Sequence, residues 1–141
     1  MYERSTRVYR RAIELVDFAA ATLARLPTGY GFVVDQLRRV AASVPLNYVE
    51  GCGRRSSADR RRFFDIAVGS ANEVAATLDV LARFGAIGAA ECARGQDLAD
   101  HVASMLRYYC SSRRARSLPV PSPTRVCGHS RAEGRAPRIE G

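Results

Sequence analysis

Apolar residues recur along four stretches of the chain in alternating steps of three and four, the spacing that lines one side of an α-helix. This pattern predicts a first helix over about residues 4–26, a second ending near residue 51, a third ending near residue 85 and a fourth restarting at residues 88–91. The positions predicted to face the core are Val8, Ala12, Leu15, Ala19, Thr22 and Leu26; Val33, Leu37, Val40, Val44 and Tyr48; Phe63, Ala67, Ser70, Val74, Thr77 and Leu81; and Leu98, Val102, Met105 and Tyr109. Short loops between four such helices predict an all-α fold, an antiparallel up-down-up-down four-helix bundle.

The connections between the predicted helices contain residues that end or begin a helix. Segment 27–31 (PTGYG) breaks the first helix, because proline cannot continue the hydrogen-bond ladder. Gly51 and Gly53 are predicted to take the left-handed conformation that ends the second helix, and Gly85 to end the third. Ser56 supplies a hydroxyl cap for the third helix, and Asp59 follows three residues later.

Two further features predict extensive packing. The run of small residues at 69–71 would let another helix approach closely, which compensates for a glycine inside a helix. The first helix is apolar over a broad arc, because other apolar residues flank its core stripe: Ile13, Val16, Phe18, Ala20 and Leu23. Such a helix is either central in the bundle or packs a second face against another subunit.

Length and charge divide the chain into two parts. A single domain is predicted over residues 1–112, and the Pro-, Ser- and Arg-rich segment 113–141 is predicted to be a disordered basic tail. The net charge is +8, and residues 111–141 hold 7 arginines against 2 acids, compared with 15 against 12 in residues 1–110. No apolar run approaches the about 20 residues of a membrane span, and no signal-peptide pattern is present, so we expect a cytoplasmic protein without membrane contact.

The polar side chains of the second and third helices form a second pattern. Those predicted to face one another are Gln36, Ser43, Asn47 and Glu50 on the second helix and Ser70 and Glu73 on the third, with Arg38 or Arg39 as charge partners. They could line a ligand or catalytic pocket. We favour the alternative, a satisfied polar network that fixes the register of the two helices.

Residues that could support catalysis or bind a metal are sparse. Asp97 and His101 could share a helix face, but the other histidine, His129, lies in the tail, so a di-iron centre is not predicted. Cys52 lies beside arginines that could lower its thiol pKa, yet no histidine nearby could act as its base. The four cysteines include no CxxC pair. We expect no enzyme activity, no metal and no cofactor.

The strongest chemical candidate is an arginine cluster between the second and third helices, the arginine turn (residues 54–62). Its arginines, together with two on the second helix, are the predicted nucleic-acid-binding residues: Arg38, Arg39, Arg54, Arg55, Arg60, Arg61 and Arg62. Guanidinium groups and the amides that begin a helix can both hold phosphates, giving affinity without sequence readout. The alternative is a solvated turn partly paired with Asp65 and Glu50. No aromatic residue lies among these arginines, so base stacking is not predicted.

Motifs in the second and third helices resemble a bacterial four-helix-bundle family, the proteins encoded in 23S rRNA intervening sequences. They are QLRR at 36–39, ASVPLN at 42–47, Glu50-Gly51 with Arg54, and FFDIAVGS at 63–70 with Glu73. The resemblance covers residues 1 to about 110. It implies an antiparallel bundle without enzyme activity, assembled as a ring-like homo-oligomer, with pentamers expected.

A related branch comprises accessory proteins of diversity-generating retroelements, which bind a reverse transcriptase and nucleic acid through a basic surface. Two hypotheses follow for this chain. It binds RNA or DNA phosphates through the arginine turn, with a possible contribution from the tail. Alternatively, it is a structural or protein-interaction bundle, for example the partner of a reverse transcriptase, whose broad first helix makes subunit contacts.

Overall fold

The computed structural model describes residues 2–111, with side chains from residue 7 onward. Four helices are present: α1 (Tyr2–Leu23), α2 (Gly31–Gly53), α3 (Ser57–Arg83) and α4 (Ala89–Ser111). α2 packs on α1 and α3, and α4 packs on α3 and returns to α1, so the predicted four-helix bundle is confirmed. The predicted tail, residues 113–141, lies outside the described residues. Within residues 2–111, no helix combines the length and the apolarity needed to cross a membrane.

The core stripes lie close to their predicted positions. All five core residues predicted for α2 are buried. Of the six predicted for the first helix, five are buried, and Leu26, which follows the end of α1, is partly exposed. The prediction for α3 is wrong at its first position, because Phe64 is buried and Phe63 is partly exposed. The ring of Phe64 stacks on Tyr48, with centroids 5.5 Å apart. Leu98 and Met105 of α4 are also only partly buried.

Gly51 and Gly53 do not end α2 through the left-handed conformation, so that prediction is wrong. Both lie inside the helix, and the positive-φ residues among those described are Gly29 and Gly85. The chain leaves α2 in extended conformation at Arg54. The glycine at position 51 is needed for space instead, because a Cβ atom there would lie 2.6 Å from Cε1 of Phe64.

The end of α3 agrees with the prediction for Gly85. This residue has a φ of +71°, and its amide donates to the carbonyl of Ala82 over 3.0 Å. The next amide, of Ala86, donates to the carbonyl of Leu81 over 2.9 Å. These two bonds satisfy carbonyl groups that the last turn of α3 would otherwise leave without a partner.

In the run of small residues at 69–71, Ser70 and Ala71 are buried, whereas Gly69 has open space around it. A Cβ atom added at Gly69 would meet nothing within 4 Å. At Gly95 of α4 it would lie 2.4 Å from both Leu78 of α3 and Phe18 of α1. The contact needs two side chains from distant parts of the sequence to converge, which no local run of small residues reveals.

Candidate nucleic-acid interface

The arginine turn occupies one end of the bundle, where α2 ends and α3 begins. Ser56 is the N-cap of α3, and its hydroxyl accepts a hydrogen bond from the amide of Asp59 over 3.4 Å. The carboxylate of Asp59 lies in the first turn, where a negative charge is favoured by the helix dipole. The sequence therefore begins α3 at the predicted residue, with the arginines grouped around its N-terminus.

Arg60 is buried and belongs to the structure of the turn. Its side chain is 6% exposed, and Nη2 donates to the carbonyl oxygen of Arg54 over 2.9 Å. Nε is buried as well and has no hydrogen-bond partner among the described residues. Side chains in a helix lean towards its N-terminus, which brings this guanidinium back over the linker. Arg60 thus fixes the path of the chain between α2 and α3, and its burial leaves little surface for a ligand.

Arg54 and Arg61 each form an exposed ion pair with an acidic residue one helical turn away along the chain. Arg54 pairs with Glu50, and its guanidinium carbon lies 4.8 Å from the centre of the Phe63 ring. Arg61 lies 3.9 Å from the carboxylate of Asp65. Exposed pairs of this kind contribute about 0.2–1 kcal/mol. A phosphate could replace the carboxylate partner at small cost, so both arginines can contribute to an anion site.

Arg55 and Arg62 differ from the other arginines of the turn. Both side chains are exposed. Neither has an ion pair or a hydrogen bond with another residue of the described chain. They lie on either side of the first turn of α3, whose amide groups carry a partial positive charge. These two are the side chains best placed to receive a phosphate.

The structure does not bring Arg38 and Arg39 to the arginine turn. Arg38 lies 3.5 Å from Asp35, and Arg39 donates to Gln36 over 2.5 Å. Both lie in the first half of α2, so a rise of about 1.5 Å per residue places them about 20 Å from the turn. They are separate from the predicted phosphate site.

Sequence reasoning missed Arg107, which lies near the end of α4, at the end of the bundle that holds the arginine turn. It is exposed and lies three residues before Cys110, on the same side of the helix. The thiol of Cys110 is 3.8 Å from the carboxylate of Asp65 on α3. Burial and the negative charge of Asp65 raise the pKa of Cys110 to about 11, so the thiol is protonated at neutral pH. Only the packing of α4 on α3 brings Cys110 close to Asp65, since 45 residues separate them in sequence.

The polar residues of α2 and α3 meet along the interface of these helices. Gln36 donates to Glu73 over 3.0 Å, and the hydroxyls of Ser43 and Ser70 lie 2.8 Å apart. Asn47 donates to the carbonyl and the hydroxyl of Ser43 over 2.8 and 2.9 Å. Glu50 is not brought into this set, because its carboxylate pairs with Arg54. The Gln36–Glu73 and Ser43–Ser70 contacts join the two helices, as expected of contacts that fix register, while Asn47 bonds within α2.

The other reactive side chains are dispersed. Cys52 and Cys92 are buried, and Cys110 is partly buried. Burial, with Asp79 adding to it and Arg83 opposing it, raises the pKa of Cys92. Asp97 and His101 are both exposed. Within the described part of the chain, no three His, Cys, Asp or Glu residues are grouped so that they could hold a metal ion.

The fold and this interface define a class: an antiparallel four-helix bundle with a basic end. The family model described as "23S rRNA-intervening sequence protein" matches residues 4–108. The chain belongs to this family, which confirms the resemblance seen in the motifs of α2 and α3. Comparison with curated proteins found no match.

Proposed function

We propose that this protein binds RNA phosphates, without enzymatic activity, through the basic end of the bundle. The observation that supports the proposal is the pair Arg55 and Arg62, exposed and without ion partners in the described chain, at the N-terminus of α3. Six arginines meet three carboxylates in this region: Arg54, Arg55, Arg60, Arg61, Arg62 and Arg107 against Glu50, Asp59 and Asp65. The excess of positive charge attracts a polyanion.

Contacts of this kind position a nucleic acid and carry no base recognition. The expected binding is therefore tolerant of sequence and falls steeply with salt, by about 0.7 logarithmic units per tenfold salt for each phosphate of a single strand and about 0.9 for duplex DNA. Such a protein acts as an accessory factor that holds RNA or DNA. The protein would do this in the cytoplasm, without a cofactor or a metal ion.

The test is a titration of fluorescent structured RNA and duplex DNA by anisotropy, repeated across a salt series. The variant Arg55→Glu/Arg62→Glu is compared with Arg83→Glu/Arg94→Glu, which makes the same change of charge at exposed positions of the opposite end of the bundle. We expect the first variant to lose at least tenfold in affinity and to show a shallower salt dependence, while the second changes little.

Residues 1–112 without the tail are titrated in parallel, and circular dichroism checks the helix content of every variant. Loss of binding on truncation, with the turn variant unaffected, would move the site to the tail. Equal losses in the two arginine variants would mean a diffuse response to charge and no defined interface. Absence of binding by the intact chain at low salt would end the proposal.

A second candidate function is that of a protein-interaction bundle. It is favoured by an apolar groove of about 340 Å³ between α1 and α2, lined by Val16, Ala19, Ala20, Leu23, Ala24, Arg38 and Ala41. Self-association into a pentamer and docking on a protein such as a reverse transcriptase both belong to this candidate. Self-association is also compatible with RNA binding, because the groove lies away from the arginine turn.

A further inference from the structure

A second groove lies at the same end of the bundle as the arginine turn, between the start of α1 and the end of α4. Its volume is about 400 Å³, and its lining comprises Arg7 of α1 with His101, Ser104, Met105, Tyr108 and Tyr109 of α4. Tyr108 is 57% exposed. The Tyr109 ring, which is buried, meets the Tyr108 ring edge to face, with centroids 6.1 Å apart and an interplanar angle of 85°. The groove thus holds an exposed aromatic ring against a fixed neighbour.

The position of this ring among the charges distinguishes it from the other exposed aromatic rings. Phe32 and Phe84 are 73% and 57% exposed, but they lie where α2 begins and α3 ends, at the opposite end of the bundle. Tyr108 follows the exposed Arg107, which lies on the side of α4 that carries Cys110 and faces α3, and Arg7 lines the groove on the other side. Cationic side chains therefore flank Tyr108 at the end of the bundle that also holds the arginine turn.

We infer that this groove takes an unpaired nucleobase stacked on Tyr108, while the adjoining phosphates of the strand follow Arg107 towards Arg62. The inference rests on the proposed function and makes its ligand single-stranded RNA. Stacking needs an exposed base face, which a duplex does not offer, and it tolerates any base. The hydroxyl of Ser104 and the imidazole of His101 lie in the same lining and can donate hydrogen bonds to the base or its ribose.

The chain contains no tryptophan, so Tyr108→Trp introduces a single tryptophan, whose fluorescence can be excited selectively, in the groove. Phe84→Trp is the matched control, because Phe84 has the same exposure and lies at the opposite end. The probes are a twelve-nucleotide oligouridylate and an RNA duplex of the same length. We expect the oligouridylate to quench the Tyr108→Trp variant and to leave Phe84→Trp unchanged, and the duplex to quench neither.

Affinity gives a second readout. Tyr108→Ala should weaken oligouridylate binding by about 5- to 150-fold, the range for one lost stacked base, while duplex binding changes less than twofold. Tyr108→Phe keeps a ring and should bind like the parent, which separates stacking from loss of fold. Absence of quenching by bound oligouridylate, or equal losses for both probes, would overturn the inference and leave the phosphate site intact. If the intact chain binds neither probe, the proposed function fails, and this inference fails with it.

Discussion

Space around two glycines determines what an added methyl group does. At Gly51 a Cβ atom would lie 2.6 Å from Cε1 of Phe64 and 3.2 Å from the backbone oxygen of Arg60. Phe64 is 1% exposed and stacks on Tyr48, so its ring cannot move aside without disturbing the core. At Gly69, also inside a helix, nothing lies within 4 Å. The two sites share the helical backbone and differ in their neighbours.

We therefore expect Gly51→Ala and Gly69→Ala to shift stability in opposite directions. Gly51→Ala should lower the free energy of unfolding by about 1–3 kcal/mol, because overpacking outweighs the better helix propensity of alanine. Gly69→Ala should raise it by up to about 1 kcal/mol. Urea unfolding followed by circular dichroism, at one protein concentration, measures both. Equal stabilisation of the two variants would show that the packing around Gly51 accommodates the methyl group.

Residue type alone does not predict what each arginine does. The five arginines of the arginine turn are alike in sequence, yet Arg60 is buried on a backbone carbonyl, and Arg54 and Arg61 pair with acids. Both pairs have the i, i+4 spacing of an ion pair on one helix face, so the sequence alone predicts them. Glu50 and Asp65 are the acids named there as partners in the solvated-turn alternative. The burial of Arg60 and the proximity of Arg107 could not, because both depend on how α2, α3 and α4 pack.

At the scale of elements, the end of α1 is joined to the start of α4 by one carboxylate. Oε1 of Glu91 accepts a hydrogen bond from the hydroxyl of Thr22 over 2.8 Å and also pairs with Arg25. Thr22 is 1% exposed, so its hydroxyl depends on this acceptor, whereas Arg25 remains largely in water. Glu91 lies in the first turn of α4, where the helix dipole favours its charge.

A double-mutant cycle tests this junction. Glu91→Ala should lower the free energy of unfolding by about 1–3 kcal/mol, because it leaves the buried Thr22 hydroxyl without an acceptor. In a Thr22→Val background the same substitution should cost less, with a coupling of at least about 0.5 kcal/mol. Glu91→Gln keeps an acceptor and should fall between the parent and Glu91→Ala. Additive effects in urea unfolding would show that the two side chains act independently.

The helices and most of their core faces could be predicted, because the spacing of apolar residues reports which side of a helix is buried. The error at the start of α3 arises from two adjacent phenylalanines, either of which continues a stripe through Ala67 and Val74. The stacking of Phe64 on Tyr48 decides between them, and it needs the partner helix. The role of Gly51 could not be predicted for the same reason, because its constraint comes from Phe64, in the next helix.

At the scale of the whole molecule, α1 is packed less extensively on α2 and α4 than α3 is packed on the same two helices. Several of its apolar side chains stay partly exposed: Tyr9, Ile13, Val16, Phe18 and Leu23. The broad apolar arc predicted for this helix is therefore only partly buried by contacts within the described chain. The groove between α1 and α2 exposes apolar surface where a second copy of the chain could bury it.

Self-association through this groove predicts a response to one exposed position. Ala20 lines the groove and is exposed, so Ala20→Arg adds a bulky charge there while the core of the chain stays intact. Ala76→Arg makes the same change at an exposed position of α3 and serves as the control. We expect light scattering after size exclusion, and native mass spectrometry, to show an assembly for the parent, with a pentamer expected. The control should keep this mass, and Ala20→Arg should approach the 15.4 kDa of a single chain.

Loss of assembly in the Ala76→Arg variant alone would move the interface to the outer face of α3. A parent of 15.4 kDa at every concentration would contradict self-association and leave the groove as a site for another protein.

Titrating RNA into the Ala20→Arg variant then links the two proposals. Several arginine turns on one assembly bind a strand at multiple points, and their combined affinity exceeds that of one turn. If the isolated chain keeps its phosphate site but binds RNA at least tenfold more weakly, the assembly supplies avidity; equal affinity would mean that each chain binds RNA by itself.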